Sequence, residues 1–294
     1  MNKQLRGSIL LLLATVIWGS AFIAQSVGME LIGPFTFQAV RCLLAVLFLL
    51  PLSLLLDLGK KDGVSSLRRW LDPRLWKAGI ICGLALFVAA SLQQVGLVYT
   101  DAGKAGFITA MYIVLVPVLG IFRKQKPSKA VVISVLMAVA GLYLLSCLNA
   151  DGINKGDLLV TGCAFAFAVQ ITCIDMLGLQ LDGVRLNCVQ ALVVALLSIP
   201  FVIFTETVEL QNLLACWLPL GFAGILSMGV AYTLQIQGQK YLEPATASLI
   251  MSLESVFAVL GGWLVLKETM APHEIAGCCL VFIAVILSQL PGKK

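Results

Sequence analysis

Charge is scarce in this sequence and histidine is almost missing. Of 294 residues, 12% are charged and one, His273, is a histidine. Against 60% apolar residues, that scarcity excludes a soluble globular domain. No Ser/His/Asp set, no phosphate-cradling glycine loop and no metal-ligand cluster can be assembled, so catalysis and ATP hydrolysis have no visible machinery and no cofactor is called for. The nine cysteines contain no CxxC spacing, which argues against zinc or a redox centre and for thiols used as small apolar side chains. A net charge of +5 without aromatic-interleaved basic stretches gives no nucleic-acid partner. Polar stretches long enough for a soluble catalytic domain are also missing.

What is present is long apolar runs, ten of them: 5–27, 34–56, 75–98, 102–122, 130–148, 157–178, 186–204, 214–238, 245–266 and 273–290. About 20 apolar residues are needed to cross the hydrocarbon core as a helix, because lipid offers backbone polar groups no partner. The first run follows Lys3 and Arg6 but is too long for a signal core, and it is read as a retained helix.

The second half repeats the first. At an offset of 142, Gly79/Gly221, Gln93/Gln235, Gly96/Gly238 and Tyr99/Tyr241 coincide; at 149, Gly7/Gly156, Val40/Val189 and Pro51/Pro200 do. The change of offset falls in the polar linker 57–73. Residues 1–149 and 150–294 are thus expected to be two five-helix repeats of an all-α integral membrane protein. Lysines and arginines gather on one side of the alternation of runs, which by the positive-inside rule places both termini in the cytoplasm. Five is odd, so the second copy would enter from the opposite side and the halves would be inverted. Such duplication is a mark of transporters and suits alternating access.

Polar residues inside apolar runs are costly and therefore informative. Glu254 lies near the middle of the ninth run; it either couples transport to protons or substrate, or holds the repeat interface by a hydrogen bond. Gln93 and Gln235 are repeat mates, with Gln94, Tyr232 and Gln239 close by. Amides donate and accept at once, which suits zwitterionic or polar uncharged cargo, although interhelical hydrogen bonding explains them too. Gln170 and the aromatics Trp18 and Tyr112 complete the candidate substrate-binding set, with Phe257 a further candidate aromatic. Asp175 reads as a solvated end charge, and Lys104 and Asp101 as rim charges. Arg41, about two turns into the second run, has Gln190 as its mate, so the repeat does not require its charge. It would snorkel outward, pair with a carboxylate, or bind the carboxylate of a substrate. Gly79 and Gly83 read as close helix packing.

Several stretches then resemble a known family. They are Trp18–Phe22, Tyr99–Thr109 leading into Val116-Pro117-Val118, Ala231–Gln235, Pro244–Ile250, Leu253–Ala258 and Leu266–Thr269. In this order they are similar, over essentially the whole chain, to the EamA-type branch of the drug/metabolite transporter superfamily. The resemblance implies a ten-helix bundle with a central cavity and carriage of small metabolites, often amino acids, frequently outward. Where that family commonly has proline after the glutamate, this chain has Ser255, so the ninth helix is expected to be less kinked.

The expectation is a secondary transporter of the bacterial inner membrane, exporting small polar metabolites such as amino acids and working as a monomer. Its partners would be a small-molecule substrate and the lipid bilayer. Efflux of lipophilic cations is the second expectation, and a non-transporting scaffold subunit the third.

Overall fold

The computed structural model describes residues 2–60, 63–125, 127–146, 154–265 and 271–289. The Leu266–Thr269 stretch and the ends of the fifth and tenth runs lie outside them. The described residues form helices α1 (Lys3–Leu31), α2 (Pro34–Leu58), α3 (Ser66–Trp70), α4 (Pro73–Gly96), α5 (Ala102–Ala110), α6 (Tyr112–Phe122), α7 (Lys129–Ser146) and α8 (Lys155–Cys173). They continue with α9 (Gly183–Thr205), α10 (Leu210–Ala215), α11 (Trp217–Gly221), α12 (Tyr232–Gln239), α13 (Pro244–Met251), α14 (Leu253–Val265) and α15 (Pro272–Ser288). Two wide π-helical segments, Ile174–Gly178 and Phe222–Ala231, prolong α8 and join α11 to α12. Among the described residues there is no strand.

Among the described residues eight helical stretches are long and apolar enough to cross a membrane, and Lys129–Leu144 and Pro272–Ser288 are shorter apolar helices. Local chemistry sets their starts. Asn2, Asp72, Asn154 and Asp182 accept first-turn N–H groups with their side chains, and prolines fill the first turns of α2, α4, α13 and α15. Large aliphatic and aromatic residues such as Leu47, Leu136 and Phe204 cover the outside, while alanines, glycines and cysteines fill the contacts between helices. A bundle solvated by lipid has no hydrophobic reason to hide leucine, and gains by letting small residues bring backbones close.

Helices of the first copy pack mainly on helices of the second. α2 packs on α9 and α7 on α15, each a pairing of repeat mates. The other main pairings come in exchanged couples: α6 with α13 answers α14 with α5, α1 with α14 answers α8 with α6, α1 with α13 answers α8 with α5, α1 with α12 answers α8 with α4, and α2 with the Phe222–Ala231 segment answers α9 with α4.

Glycines mark two equivalent crossings. A Cβ on Gly7 would stand 3.0 Å from the Gly238 carbonyl, and one on Gly156 would stand 2.7 Å from that of Gly96. Leu11 fills the space beside Gly238 as its mate Val160 fills that beside Gly96.

α2 and α9 run antiparallel, tied at both ends. Arg185 in the first turn of α9 pairs with Asp57 at the end of α2. At the other end, Glu206 at the end of α9 accepts the Phe35 and Thr36 N–H groups, each at 2.8 Å, and the Thr36 hydroxyl at 2.6 Å. Asp57 and Glu206 are repeat mates, as are Thr36 and Arg185.

One expectation is corrected. Helical structure in the ninth run breaks at Ser252 although proline is missing there, much as that in the fourth breaks at Met111. Serine hydroxyls gather at this break: Ser252 Oγ bonds back to the Leu249 carbonyl at 2.8 Å, and Ser255 Oγ leaves its own helix for the Gly106 carbonyl at 2.8 Å.

Candidate functional site

A narrow cavity of about 40 Å³ lies where the two copies meet. Its walls are Trp18, Phe22 and Gln25 of α1, Arg41 of α2, Gln93 of α4, Thr109 of α5 and Tyr112 of α6, with Phe167 and Ile171 of α8, Ser227 of the second π segment, Tyr232 and Gln235 of α12, Met251 of α13 and Glu254 of α14. Ten of these fourteen are five pairs of repeat mates: Trp18/Phe167, Phe22/Ile171, Gln93/Gln235, Thr109/Met251 and Tyr112/Glu254. The site is therefore built largely from equivalent positions of both copies.

The last pair touches. The Tyr112 hydroxyl donates to Glu254 Oε1 at 2.9 Å, and both side chains are buried. Trp18 stands edge-on to Tyr232 with ring centroids 5.0 Å apart, an arrangement the ring quadrupoles favour. Its indole Nε1 is buried without an acceptor among the described residues.

The glutamines divide into a wall and a support. Gln93 Nε2 donates to Thr109 Oγ1 at 3.2 Å. Gln235 Nε2 donates to Gln170 Oε1 at 3.3 Å, Gln170 to Gln190 at 3.5 Å, and Gln190 to Asn187 Oδ1 at 2.8 Å. Asn187 Nδ2 ends the relay on the Met228 and Gly229 carbonyls, at 2.8 and 2.9 Å, and on Thr233 Oγ1 at 3.0 Å. A π-helical turn is where such carbonyls are reached from outside. Gln170 thus stands behind Gln235 and off the wall, and Gln239 holds the Ile171 carbonyl at 3.1 Å. The Gln235 Oε1 has no donor among the described residues and is the relay's open end at the cavity.

Of the candidates from sequence, Trp18, Gln93, Tyr112, Tyr232, Gln235 and Glu254 line this one cavity. Gln94, Gln170 and Gln239 are buried outside its wall. Phe257 sits edge-on against Phe282, centroids 6.1 Å apart. Asp175 pairs with Arg123 at 2.9 Å, so it is a tie between α6 and the first π segment rather than a solvated end charge. Lys104 reaches the buried Asp157 at 2.6 Å, joining α5 to α8, where the Thr100 hydroxyl also donates to Asp157 at 2.7 Å. Arg41 lies in the wall, with Gln25 beside it. Phe167 was legible as the mate of Trp18; Gln25, Thr109 and Ser227 gave no signal, being single polar residues in apolar runs.

Comparison with known proteins gives the family. The model of the EamA-like transporter family matches residues 5–147 and again 154–290. The chain belongs to that family. A transporter of Archaeoglobus fulgidus is 35% identical over 291 residues, covering 98% of this chain and 87% of that one. The threonine/homoserine exporter RhtA of Escherichia coli K12 is 28% identical over 185 residues, 60% of this chain and 59% of the exporter. A crystal structure with a TM-score of 0.79, covering 97% of both chains at 18% identity, shares the fold.

Proposed function

We propose that this EamA-family transporter exports small polar metabolites, amino acids foremost, by alternating access between two inverted five-helix halves. Ten spans would then cross the cytoplasmic membrane of a bacterium with both termini inside, and a monomer would suffice. The antiparallel packing of α2 on its own mate α9 supports the inversion, because an axis lying in the membrane plane reverses a helix while exchanging the copies. The single observation that carries the function is the cavity itself. It sits between the halves and offers buried donors and acceptors on an aromatic frame, which suits a cargo with several polar groups when the halves part to admit it. The similarity to a threonine/homoserine exporter over part of the chain points to the same cargo class.

Gln93, Gln235, Tyr232, Trp18, Tyr112 and Glu254 would contact the substrate, with Gln94, Gln170 and Gln239 behind them. Glu254 would also exchange the coupling proton, released when Tyr112 and the cargo compete for its oxygens. Proteoliposomes preloaded with unlabelled amino acids should accumulate external labelled L-threonine by counterflow. Counterflow with tetraphenylphosphonium and with no amino acid would replace the reading by cation efflux. Glu254→Gln should weaken counterflow and, in what remains, lose the response of net flux to an imposed pH gradient. An unchanged response would leave Glu254 the role of a hydrogen-bonded strut.

A further inference from the structure

We infer that Arg41, held by Gln25, is a carboxylate-binding group of this cavity, so that the cargo must carry a carboxylate. The inference deepens the transporter reading above and rests on it.

Arg41 is 6% exposed, and its guanidinium Nη1 donates to Gln25 Oε1 at 2.7 Å. The guanidinium carbon lies 5.8 Å from the centroid of the Phe37 ring. Its Nε is buried and donates to nothing among the described residues, and no described carboxylate lies within ion-pair distance. Arginine stays protonated, so a full positive charge faces the cavity with an amide, a ring, the Cys42 thiol and the Tyr232 phenol as its company, none of them an anion. A charge withdrawn from water and left without a counter-ion is among the costliest things a membrane protein can hold. Of the three fates open to Arg41, snorkelling is excluded by its burial and pairing within the described protein by the absence of a carboxylate. A ligand anion remains.

The fold does not ask for this charge. The mate of Arg41 is Gln190, which packs in the equivalent place of α9 and spends its amide inside the relay behind Gln235. The four wall residues whose mates do not line the cavity are Gln25, Arg41, Ser227 and Tyr232. Their mates are Ile174, Gln190, Ala85 and Ala90, so one side of the cavity is polar where the repeat-related side is mostly apolar. The departure from pseudo-symmetry therefore falls on the side that carries the cation. Glu254 lines the same cavity and gives it a carboxylate of its own, outside ion-pair distance of Arg41. A cation and a carboxylate kept apart across one space match a zwitterion, with the substrate carboxylate in the fork of Arg41 and its ammonium at Glu254.

The test is ligand competition on the purified full chain, read as protection against thermal unfolding and as inhibition of counterflow in liposomes. The probes are L-threonine, L-threoninamide, the amine left when threonine loses its carboxyl, and the hydroxy acid left when it loses its amine. With the wild-type chain, threonine should outcompete the amide and the amine on the order of 100-fold, the cost of leaving a buried charge unpaired. Arg41→Gln should erase that gap by weakening threonine, and Arg41→Lys should restore part of it. If the hydroxy acid binds in an Arg41-dependent way while threonine does not, the assignment stands and the amino-acid reading fails. If the amide or amine binds as well as threonine, if Arg41→Gln keeps the preference, or if no carboxylate probe binds at all, the inference is overturned. The wild-type series decides even where a variant does not fold.

Discussion

The two sides of the cavity descend from one repeat and have parted company. On one side Arg41 ends in an open guanidinium; on the other its mate Gln190 is the middle of a relay from Gln235 to the carbonyls of a π-helical turn. Three residues N-terminal to each, the mates still behave alike. Gln38 bonds Ser91 Oγ at 3.0 Å, and Asn187 bonds Thr233 Oγ1, where Ser91 and Thr233 are themselves repeat mates. The difference teaches which polar groups serve the frame. Those whose equivalents make equivalent bonds tie helices together, and those whose equivalents diverged and whose atoms stay unsatisfied belong to the cargo.

The frame should break first at its glycine crossings. Gly156→Val would drive a branched side chain against the Gly96 carbonyl and the Thr100 backbone, neither of which can swing away, at a cost of about 3 kcal/mol or more. Gly7→Val should do the same at the equivalent crossing. Gly221, whose added Cβ would meet nothing within 4 Å, should accept alanine with a gain of a few tenths to about 1 kcal/mol. Denaturant midpoints in micelles check all three. A tolerated Gly156→Val would show that the crossing is not held by close backbone approach.

Next come the ties. Asn187→Leu removes four bonds and takes the amide donor from the Met228 carbonyl of the π-helical segment, so it should cost about 1–2 kcal/mol; Gln38→Leu should cost about half of that. Smaller still is the contrast between Gln190→Leu and Arg41→Gln in folding stability alone. The first interrupts the relay at a cost of about 1 kcal/mol, while the second should be neutral or stabilising, since it removes a buried cation that no described carboxylate balances. Equal destabilisation by both would mean that Arg41 is part of the frame after all.

Much of this was legible in the chain. The apolar runs and the punctuating prolines gave the helices, and the matched Gly7/Gly156 and Gly96/Gly238 pairs turned out to touch each other across the copies. Tyr112 and Glu254 are 142 apart, so their hydrogen bond is also a contact between mates. What sequence could not separate was the wall from its support. Gln170, Gln235 and Gln239 are the same side chain in the same kind of run, and only rotation about the helix axis decides which amide meets the cavity. π-helical turns shift that rotation, and no periodicity announces them. The break at Ser252 was hidden for a related reason: the hydroxyls beside it bond to carbonyls that sequence does not single out, Ser252 to Leu249 and Ser255 to Gly106, the latter 149 residues away.

The two ends of the α2–α9 pair differ in one last respect, and pH separates them. At the α9 start, Asp182 caps the helix, accepting the Val184 and Arg185 N–H groups at 3.1 and 3.2 Å, and pairs with Lys60 at 3.0 Å. Its mate at the α2 start is Gly33, where the carboxylate is instead lent by Glu206. Burial pushes the Asp182 carboxyl upward, but the bond from Lys60, the Arg185 N–H and the two positive charges outweigh it and hold the carboxyl below the ordinary aspartate range. A lowered folded value means the contribution is present above the unfolded value of about 3.9 and is lost as pH falls through the folded one. Thermal midpoints of the wild-type chain should therefore be flat from neutral pH to about 5 and decline below about 4. Asp182→Asn should cost under about 1 kcal/mol at neutral pH, because the pair is partly solvated, and should shallow the acid decline. Glu206 both ties α9 to α2 and accepts the first-turn N–H groups of α2, so Glu206→Gln should weaken the contact between the copies and loosen the start of α2 together. If the two variants were indistinguishable in acid dependence and in midpoint, the ends of the pair would be equivalent, and the divergence of the two copies would be confined to the cavity wall.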